Sequence, residues 1–244
     1  MSDSSEDNKA NTNNQRESRS KGKRSVFSRR HKWNKAAPMR NIYNTVLRGL
    51  LSMFVRVRIT GMQNIPATGS GIIIINHVHW IDPVLLLPCT MRPIVPLAKV
   101  EAFEFLPARI MVQPYGAIPV HRGEVDLQAI RAASEVLNEG GLVLISPEGT
   151  RSKTGGLIQA QEGLAFLATR NNVAIIPVAL TGTADIGNSV SKFQRPTYDV
   201  SIGEPFKLTH PGGKIGREQL HQMTDYAMRR LAALLPEKMR GVYA

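Results

Sequence analysis

Hydrophobic and polar positions change their spacing several times along this chain. Over 38–54, apolar residues recur at three- and four-residue steps, with polar residues such as Asn44 opposite them. That spacing predicts an amphipathic helix. Over 55–60 the spacing becomes two, as in a half-buried strand. Residues 1–37 are highly charged and have too few apolar side chains to bury, so we expect a disordered basic tail.

The remainder, 55–244, alternates between short apolar runs and longer stretches with helical spacing. The predicted strands are Val55–Thr60, Ile72–Ile75, Ile94–Ala98, Ala117–Val120, Leu142–Ser146 and Val173–Leu180. The predicted helices are Asp82–Leu87, Ala102–Met111, Leu127–Glu139, Ile158–Thr169 and Arg217–Leu235. This alternation predicts an α/β fold, a single domain with a mixed, mostly parallel sheet flanked by helices. Pro177 has no N–H to donate, which indicates an edge position or a bulge in the last strand.

The positive charge lies at the N-terminal end of the chain. Residues 1–60 contain 14 Lys and Arg against 4 Asp and Glu, whereas 61–244 contain 17 against 15. A globular nucleic-acid binder carries basic charge on its folded surface, so we expect no nucleic-acid partner. No apolar stretch reaches the roughly 20 residues that a membrane-spanning helix needs. The 38–54 helix therefore either docks on the domain core or lies on an anionic lipid surface, and both can hold at once.

Candidate chemistry begins where the second predicted strand ends. The run Ile72–Ile75 stops just before His77, and Asp82 follows five residues later, directly before Pro83. Asp82 could orient the His77 imidazole for proton abstraction, or it could cap the helix that starts there, and spacing alone leaves both open. His77 and His79 also suggest a metal site, but the acid comes one residue late for that pattern, so no metal is expected.

Two further predicted strands end at arginines. Arg122 follows the strand that ends at Val120, and Arg151 follows the turn after the strand that ends at Ser146. Because the carboxyl ends of parallel strands meet at one edge of a sheet, these guanidinium groups suit recognition of a phosphate beside His77. The one cysteine, Cys89, lies in an apolar run and is expected to be a small buried side chain.

Four ordered blocks carry a resemblance to a known family. They are Asn76-His77-x4-Asp82, Gly116…Arg122, Pro147-Glu148-Gly149-Thr150-Arg151 and Ile176-Pro177-Val178-Ala179. Together they resemble the glycerolipid acyltransferase family, in particular bacterial 1-acyl-sn-glycerol-3-phosphate acyltransferases. The resemblance covers roughly residues 55–205. It departs from the usual pattern at His79 and Ser146, which bears on acceptor and chain-length detail.

The resemblance implies a role for each matching residue. His77 would be the general base and Asp82 its partner. The residues implied to hold or shape the acceptor's phosphate site are Arg122, Glu148, Gly149, Thr150, Arg151 and Lys99. The domain organisation would be a basic tail at 1–37, an amphipathic membrane-interface helix at 38–54 and an acyltransferase domain at 55–244.

The same resemblance implies the substrates and the setting. The acyl donor would be acyl-CoA or acyl-carrier protein, attacked directly without an acyl-enzyme, and no cofactor would be needed. The acceptor would be lysophosphatidic acid, giving phosphatidic acid; glycerol-3-phosphate, another lysophospholipid or a glycolipid are the alternatives. The protein would be peripheral, on the cytoplasmic face of the cell membrane.

Overall fold

The order of the strands in the sheet determines which parts of the chain lie close to His77. The computed structural model describes residues 37–90, 92–121, 126–183, 189, 191–192, 194–210 and 212–244. All of them belong to the same compact unit. The predicted tail, residues 1–37, lies outside the described residues except for Ala37, where the first helix begins.

The described residues contain the following elements. The strands are β1 Arg56–Thr60, β2 Gly71–Ile75, β3 Ile94–Lys99, β4 Ile118–Val120, β5 Leu142–Ile145, β6 Ala174–Thr181 and β7 Thr197–Ile202. The helices are α1 Ala37–Phe54, α2 Asp82–Leu86, α3 Val100–Glu104, α4 Leu106–Val112, α5 Leu127–Asn138, α6 Gly163–Asn171 and α7 Arg217–Ala232. Short 3-10 turns occupy Met62–Asn64, Leu87–Cys89, Gln113–Tyr115, Glu237–Met239 and Gly241–Tyr243.

The strands form one sheet in the order β1-β7-β6-β2-β5-β3-β4. Every neighbouring pair is parallel except β6 and β7, which are antiparallel. The predicted α/β class and the mixed, mostly parallel sheet are therefore confirmed. All five residues of β2 are buried, because β2 lies in the middle of the sheet between β5 and β6.

Two elements differ from the sequence-based expectation. Strand β7 was not predicted, although Tyr198, Val200 and Ile202 are buried and alternate with partly exposed polar residues. The helix predicted over 102–111 is two helices that meet at Phe105, whose backbone is extended. Proline is tolerated only in the first turn of a helix, and Pro107 lies in the first turn of α4.

The region around Pro177 and the start of α6 also require correction. The edge position proposed for Pro177 is wrong, because β6 has neighbours on both sides. A bulge is present beside Pro177, but it lies in the partner segment: Ile175 pairs with Phe206 and Val178 with Ile202, so three residues face two. The strand that contains Pro177 is itself continuous. Helix α6 begins later than predicted, at Gly163, because the preceding amides bond to Glu148 and to the C-terminal turn.

Helix α1 docks on the domain through a partly polar face. Leu47 is buried, but so are Arg40 and Asn44, and Asn44 Oδ1 accepts a hydrogen bond from Tyr115 Oη at 2.5 Å. The prediction that Asn44 lies on an exposed polar face is therefore wrong. Docking on the domain core, one of the two expected roles, is confirmed. None of the helices within the described residues is long and apolar enough to span a membrane.

The C-terminal turn supplies a prediction about stability. Gly241 has φ +54°, and a Cβ there would lie 2.0 Å from the Leu157 carbonyl oxygen. Gly140 also has a positive φ, +79°, but a Cβ there would meet no atom within 4 Å. We expect Gly140→Ala to lower the free energy of unfolding by about 1–2 kcal/mol, the cost of left-handed backbone. Gly241→Ala should cost clearly more, measured by urea unfolding; equal losses would contradict the packing described for this turn.

Candidate active site

Asn76 fixes the chain as it leaves the sheet. Its Nδ2 donates to the Leu180 carbonyl oxygen at 2.9 Å, and its Oδ1 accepts from the Leu180 N–H at 2.7 Å. Asn76 is the first residue after β2, and its buried side chain thereby bonds to both backbone groups of Leu180 in β6. His77 consequently starts from a fixed backbone position.

His77 and Asp82 meet at the end of β2. The Nδ1 atom of His77 lies 3.1 Å from Asp82 Oδ2, and the histidine side chain is 16% exposed against 1% for the aspartate. The same oxygen accepts the N–H groups of Val78 and His79, both at 2.8 Å. An oxygen that already accepts two hydrogens requires Nδ1 to donate, which assigns the free lone pair to Nε2.

The structure also bears on the alternative that Asp82 is a helix cap. The cap position of α2 is Ile81, and no side chain hydrogen-bonds there to the amides of the first turn. The Asp82 carboxylate instead faces back to the His77 ring and to the amides that precede the helix. These contacts favour the orienting role over the capping role. Its Oδ1 atom is buried and has no hydrogen-bond partner among the described residues.

Glu148 lies behind the His77 turn and does not line the cleft described below. Its side chain is buried. Oε1 accepts the backbone N–H of His77 at 3.0 Å, and Oε2 accepts that of Ile158 at 3.0 Å. Burial raises the pKa of this carboxyl group above its usual value, although both hydrogen bonds oppose the rise.

A cleft of about 920 Å³ borders His77. Most of its wall is apolar and comes from the ends of β3 and β5 and from α2, α3 and α4. The apolar lining includes Trp80, Val84, Leu97, Phe105, Ala108 and Leu144. Polar groups are few: His77, Lys99, Glu101, Ser146, Thr150 and Arg151. An apolar cleft with a few polar groups is typical of a small-molecule site.

Of the six predicted phosphate-site residues, Gly149, Thr150, Arg151 and Lys99 line the cleft, whereas Glu148 is buried behind it. Thr150 and Arg151 are exposed and line the cleft, on the turn that Gly149 makes with φ +66°. Lys99 also lines the cleft, and its Nζ lies 2.8 Å from Glu101 Oε1 in an exposed ion pair. Arg122 lies outside the described residues.

The residues that flank Arg122 are joined to each other. The Asp126 Oδ2 atom accepts both the backbone N–H and the Nδ1–H of His121, each at 2.9 Å. Its Oδ1 atom caps α5 by accepting from Gln128 and Ala129. Although burial opposes it, these hydrogen bonds hold the pKa of Asp126 below its usual value. Sequence reasoning missed Asp126, and the signal was an acid directly before a helical run.

Cys89 is a partly buried thiol with an intramolecular hydrogen bond. The Cys89 Sγ donates to the Leu85 carbonyl oxygen at 3.0 Å, and burial raises the pKa of this thiol to about 11. Among the described residues, no group of three or more His, Cys, Asp or Glu side chains has the arrangement of a metal site.

Several curated proteins are similar to this chain, and each has the name 1-acyl-sn-glycerol-3-phosphate acyltransferase. The protein from Borreliella burgdorferi is 30% identical over 131 residues, which are 53% of this chain and 52% of that protein. The protein from Bacillus subtilis is 26% identical over 192 residues, or 77% of this chain and 92% of that protein. The chain spans 38% of the chloroplastic protein from Arabidopsis thaliana, at 28% identity.

A solved structure and a family profile extend these similarities. The crystal structure of the 1-acyl-sn-glycerophosphate acyltransferase from Thermotoga maritima has the same fold, with a TM-score of 0.58 and 22% identity. The match covers 78% of this chain and 77% of that one. The sequence profile of the acyltransferase family matches residues 56–181, which include β1 to β6 and all the described site residues. The chain therefore belongs to the acyltransferase family.

Proposed function

We propose that this chain transfers a fatty acyl group from acyl-CoA or acyl-carrier protein to the sn-2 hydroxyl of 1-acyl-glycerol-3-phosphate, giving phosphatidic acid. The observation that carries the proposal is the His77–Asp82 pair beside an apolar cleft. The choice of acceptor is supported by the relatives named for that reaction. No cofactor or metal takes part in the proposed reaction.

The reaction needs one general base. The Nε2 atom of His77 takes the proton of the acceptor hydroxyl while that oxygen attacks the thioester carbonyl carbon. The tetrahedral intermediate then collapses, the C–S bond breaks and the new ester remains. The leaving thiolate takes the proton back from the imidazolium. Asp82 keeps Nδ1 protonated and stabilises the positive charge while the proton is on His77.

The acceptor's phosphate suits the cationic side of the cleft. Arg151 is exposed beside His77, and among the described residues it has no ion-pair partner. A guanidinium group binds phosphate through two parallel hydrogen bonds. Lys99 and Thr150 also line the cleft. Arg122 is proposed as a further phosphate ligand because it lies two positions after the end of β4 in the sequence.

The acyl chain suits the apolar part of the cleft. The cleft volume of about 920 Å³ lies within the range of ligand pockets, and apolar side chains from α3 and α4 form one wall. Phe105, in that wall, is 58% exposed, as expected for a side chain that a bound ligand would cover. The same apolar surface suits the acyl chain of the donor and the acyl chain that the acceptor already has.

A lipid surface is the proposed environment of the cleft. The outward residues of α1, spaced by four, four and three positions, are Ile42, Val46, Leu50 and Met53, and each is more than half exposed. Water-exposed apolar stripes of this kind mark interaction sites. The basic charge before and within α1 favours anionic lipid, since each cation near the surface adds about 1 kcal/mol. Attachment to the cytoplasmic face of the membrane is part of the same proposal.

An acyl-transfer assay with a panel of acceptors tests the proposed reaction. The full chain is mixed with acyl-CoA or acyl-carrier protein, and thiol release is followed with each acceptor. We expect release with lysophosphatidic acid. His77→Ala should reduce kcat by about a hundredfold to ten-thousandfold, because a general base is lost. His210→Ala, outside the cleft lining, should leave kcat unchanged.

The outcomes of that assay separate the parts of the proposal. Release with glycerol-3-phosphate, another lysophospholipid or a glycolipid alone would keep acyl transfer and replace the acceptor. An unchanged rate in His77→Ala, with the melting temperature preserved, would refute the general-base role. Absence of thiol release with every donor and acceptor would overturn the function.

Direct transfer without an acyl-enzyme predicts an inert cysteine. Because burial raises the Cys89 pKa to about 11, the thiol is neutral at neutral pH and becomes a thiolate only as the pH rises toward that value. We expect no reaction with a thiol reagent in the native chain and one thiol per chain in denaturant. Cys89→Ala should retain turnover; loss of turnover in a folded variant would argue for an acyl-cysteine.

Vesicle sedimentation tests the lipid-facing role of α1. Val46→Asp with Leu50→Asp should weaken binding to anionic vesicles at least about tenfold, since each exposed apolar side chain contributes about 1.5 kcal/mol or more when buried. Thr45→Asp with Ser52→Asp adds the same charge on the same helix outside the stripe and should bind far more tightly than the first pair. Retention on DNA but not on vesicles would contradict the proposal.

A further inference from the structure

Glu148 is the one acidic side chain of the 147–151 turn, and it faces the protein interior. It is 3% exposed, and each of its carboxylate oxygens accepts one backbone amide hydrogen. The neighbouring Thr150 and Arg151 are exposed in the cleft. Within this turn, the carboxylate of Glu148 therefore faces the interior and the guanidinium group of Arg151 faces the cleft.

Both sides of the His77 backbone are held by that turn and the residues directly after it. The His77 N–H donates to Glu148 Oε1 at 3.0 Å, and the His77 carbonyl oxygen accepts from the Ser152 N–H at 2.9 Å. The ring is held separately, by Asp82. The position of the imidazole in the cleft depends on this backbone as much as on its ring contact.

A phosphate would gain nothing from the Glu148 carboxylate. Like charges repel, and the repulsion is strongest where burial lowers the local dielectric. Both oxygens are already occupied by amides, so the side chain would have to leave two partly buried N–H groups without this partner in order to reach the cleft. Arg151, three residues later, has the charge and the exposure that a phosphate requires.

The second oxygen of Glu148 ties the turn to a braced segment. Ile158, which donates to Oε2, lies between Leu157 and Ala160, and both of these bond to the C-terminal turns. The Leu157 N–H donates to the Met239 carbonyl oxygen at 3.0 Å, and the Ala160 N–H donates to Tyr243 Oη at 3.0 Å. Glu148 thus links the His77 backbone to the segment 157–160, which is hydrogen-bonded to the C-terminal turns.

We infer that Glu148 is a positioning residue for His77 and not a ligand of the acceptor's phosphate. Its carboxylate holds the His77 N–H, so that Nε2 stands at a fixed place in the cleft for proton transfer. Its kinetic consequence rests on the proposed function, whereas the backbone contact itself does not.

Glu148→Gln is the sharpest test, because it keeps the shape of the side chain. The amide offers one acceptor oxygen and one NH2 group, so one of the two backbone N–H groups must face a donor. We expect kcat to fall about tenfold to a hundredfold through misplacement of the base, with the acceptor KM unchanged within about twofold. Arg151→Ala, in contrast, should mainly raise the acceptor KM. Lys153→Ala, exposed in the same loop, should change neither.

The backbone amide resonance of His77 gives a second readout, which needs no turnover. An amide proton donated to a carboxylate resonates downfield, since charge-assisted hydrogen bonds are short and strong. In Glu148→Gln, the His77 resonance of the nitrogen-15-labelled chain should move upfield, and in Lys153→Ala it should not move. When nitrogen-15 is incorporated only at the six histidines, the His77 amide resonance is the one that is missing from the spectrum of His77→Ala.

Each result decides the inference. A raised acceptor KM with unchanged kcat in Glu148→Gln would make Glu148 a phosphate-site residue and overturn the positioning role. Unchanged kinetics would overturn it as well, and so would a lowered kcat with an unmoved His77 resonance. If Glu148→Gln does not fold, Glu148→Asp, which is too short to reach both amides, is judged by the same criteria. If the wild-type chain releases no thiol, the proposed function fails and the resonance alone decides the contact.

Discussion

The buried carboxylate of Asp82 holds the reactive turn of this protein together. A carboxylate removed from water is tolerated only where hydrogen bonds compensate for the lost hydration. Here a single oxygen accepts from the His77 ring and from the amides of Val78 and His79. The four residues between His77 and Asp82 must therefore fold around that oxygen, and the position of the imidazole follows from this turn. Substituting Asp82 would disturb the backbone and the ring together, so loss of activity in such a variant would not by itself isolate an electrostatic role.

The sheet order explains why the turn lies beside a cleft. Strand β2 is flanked by β5, and β5 by β3, all parallel, so their carboxyl ends open on one edge of the sheet. His77 follows β2, Thr150 and Arg151 follow β5, and Lys99 ends β3. Ligands of open α/β sheets bind at such an edge. On the other side of β2, β6 is joined to the chain directly before His77 through the amide of Asn76, which fixes the start of the turn.

The sequence predicts the strands and the edge well, because burial in a parallel sheet leaves long apolar runs. It predicts contacts made by polar side chains less well. Asn44 has the pattern of an exposed residue, yet it bonds to Tyr115, a partner 71 positions away that helical periodicity does not reveal. Glu148 lies in a polar turn. The residue types of such a turn do not reveal whether a side chain faces the cleft or the interior. Strand β7 alternates over the same length as the strand predicted at 55–60, so its pattern gave a usable signal that was missed. Asp199, a residue type depleted in strands, is the feature that disfavours it.

Helix α1 is joined to the wall of the cleft by packing and by hydrogen bonds. Its inward face contacts the turns Leu87–Cys89 and Gln113–Tyr115, and Tyr43 packs edge-on against Tyr115 at 5.9 Å. The Tyr43 hydroxyl also reaches the Ile110 carbonyl oxygen, at 3.4 Å, on the helix that forms a wall of the cleft. The exposed stripe of α1 and the exposed apolar residues of α4 therefore lie on one connected framework. If α1 binds lipid as proposed, this framework places the α4 wall of the cleft on the element that the lipid holds.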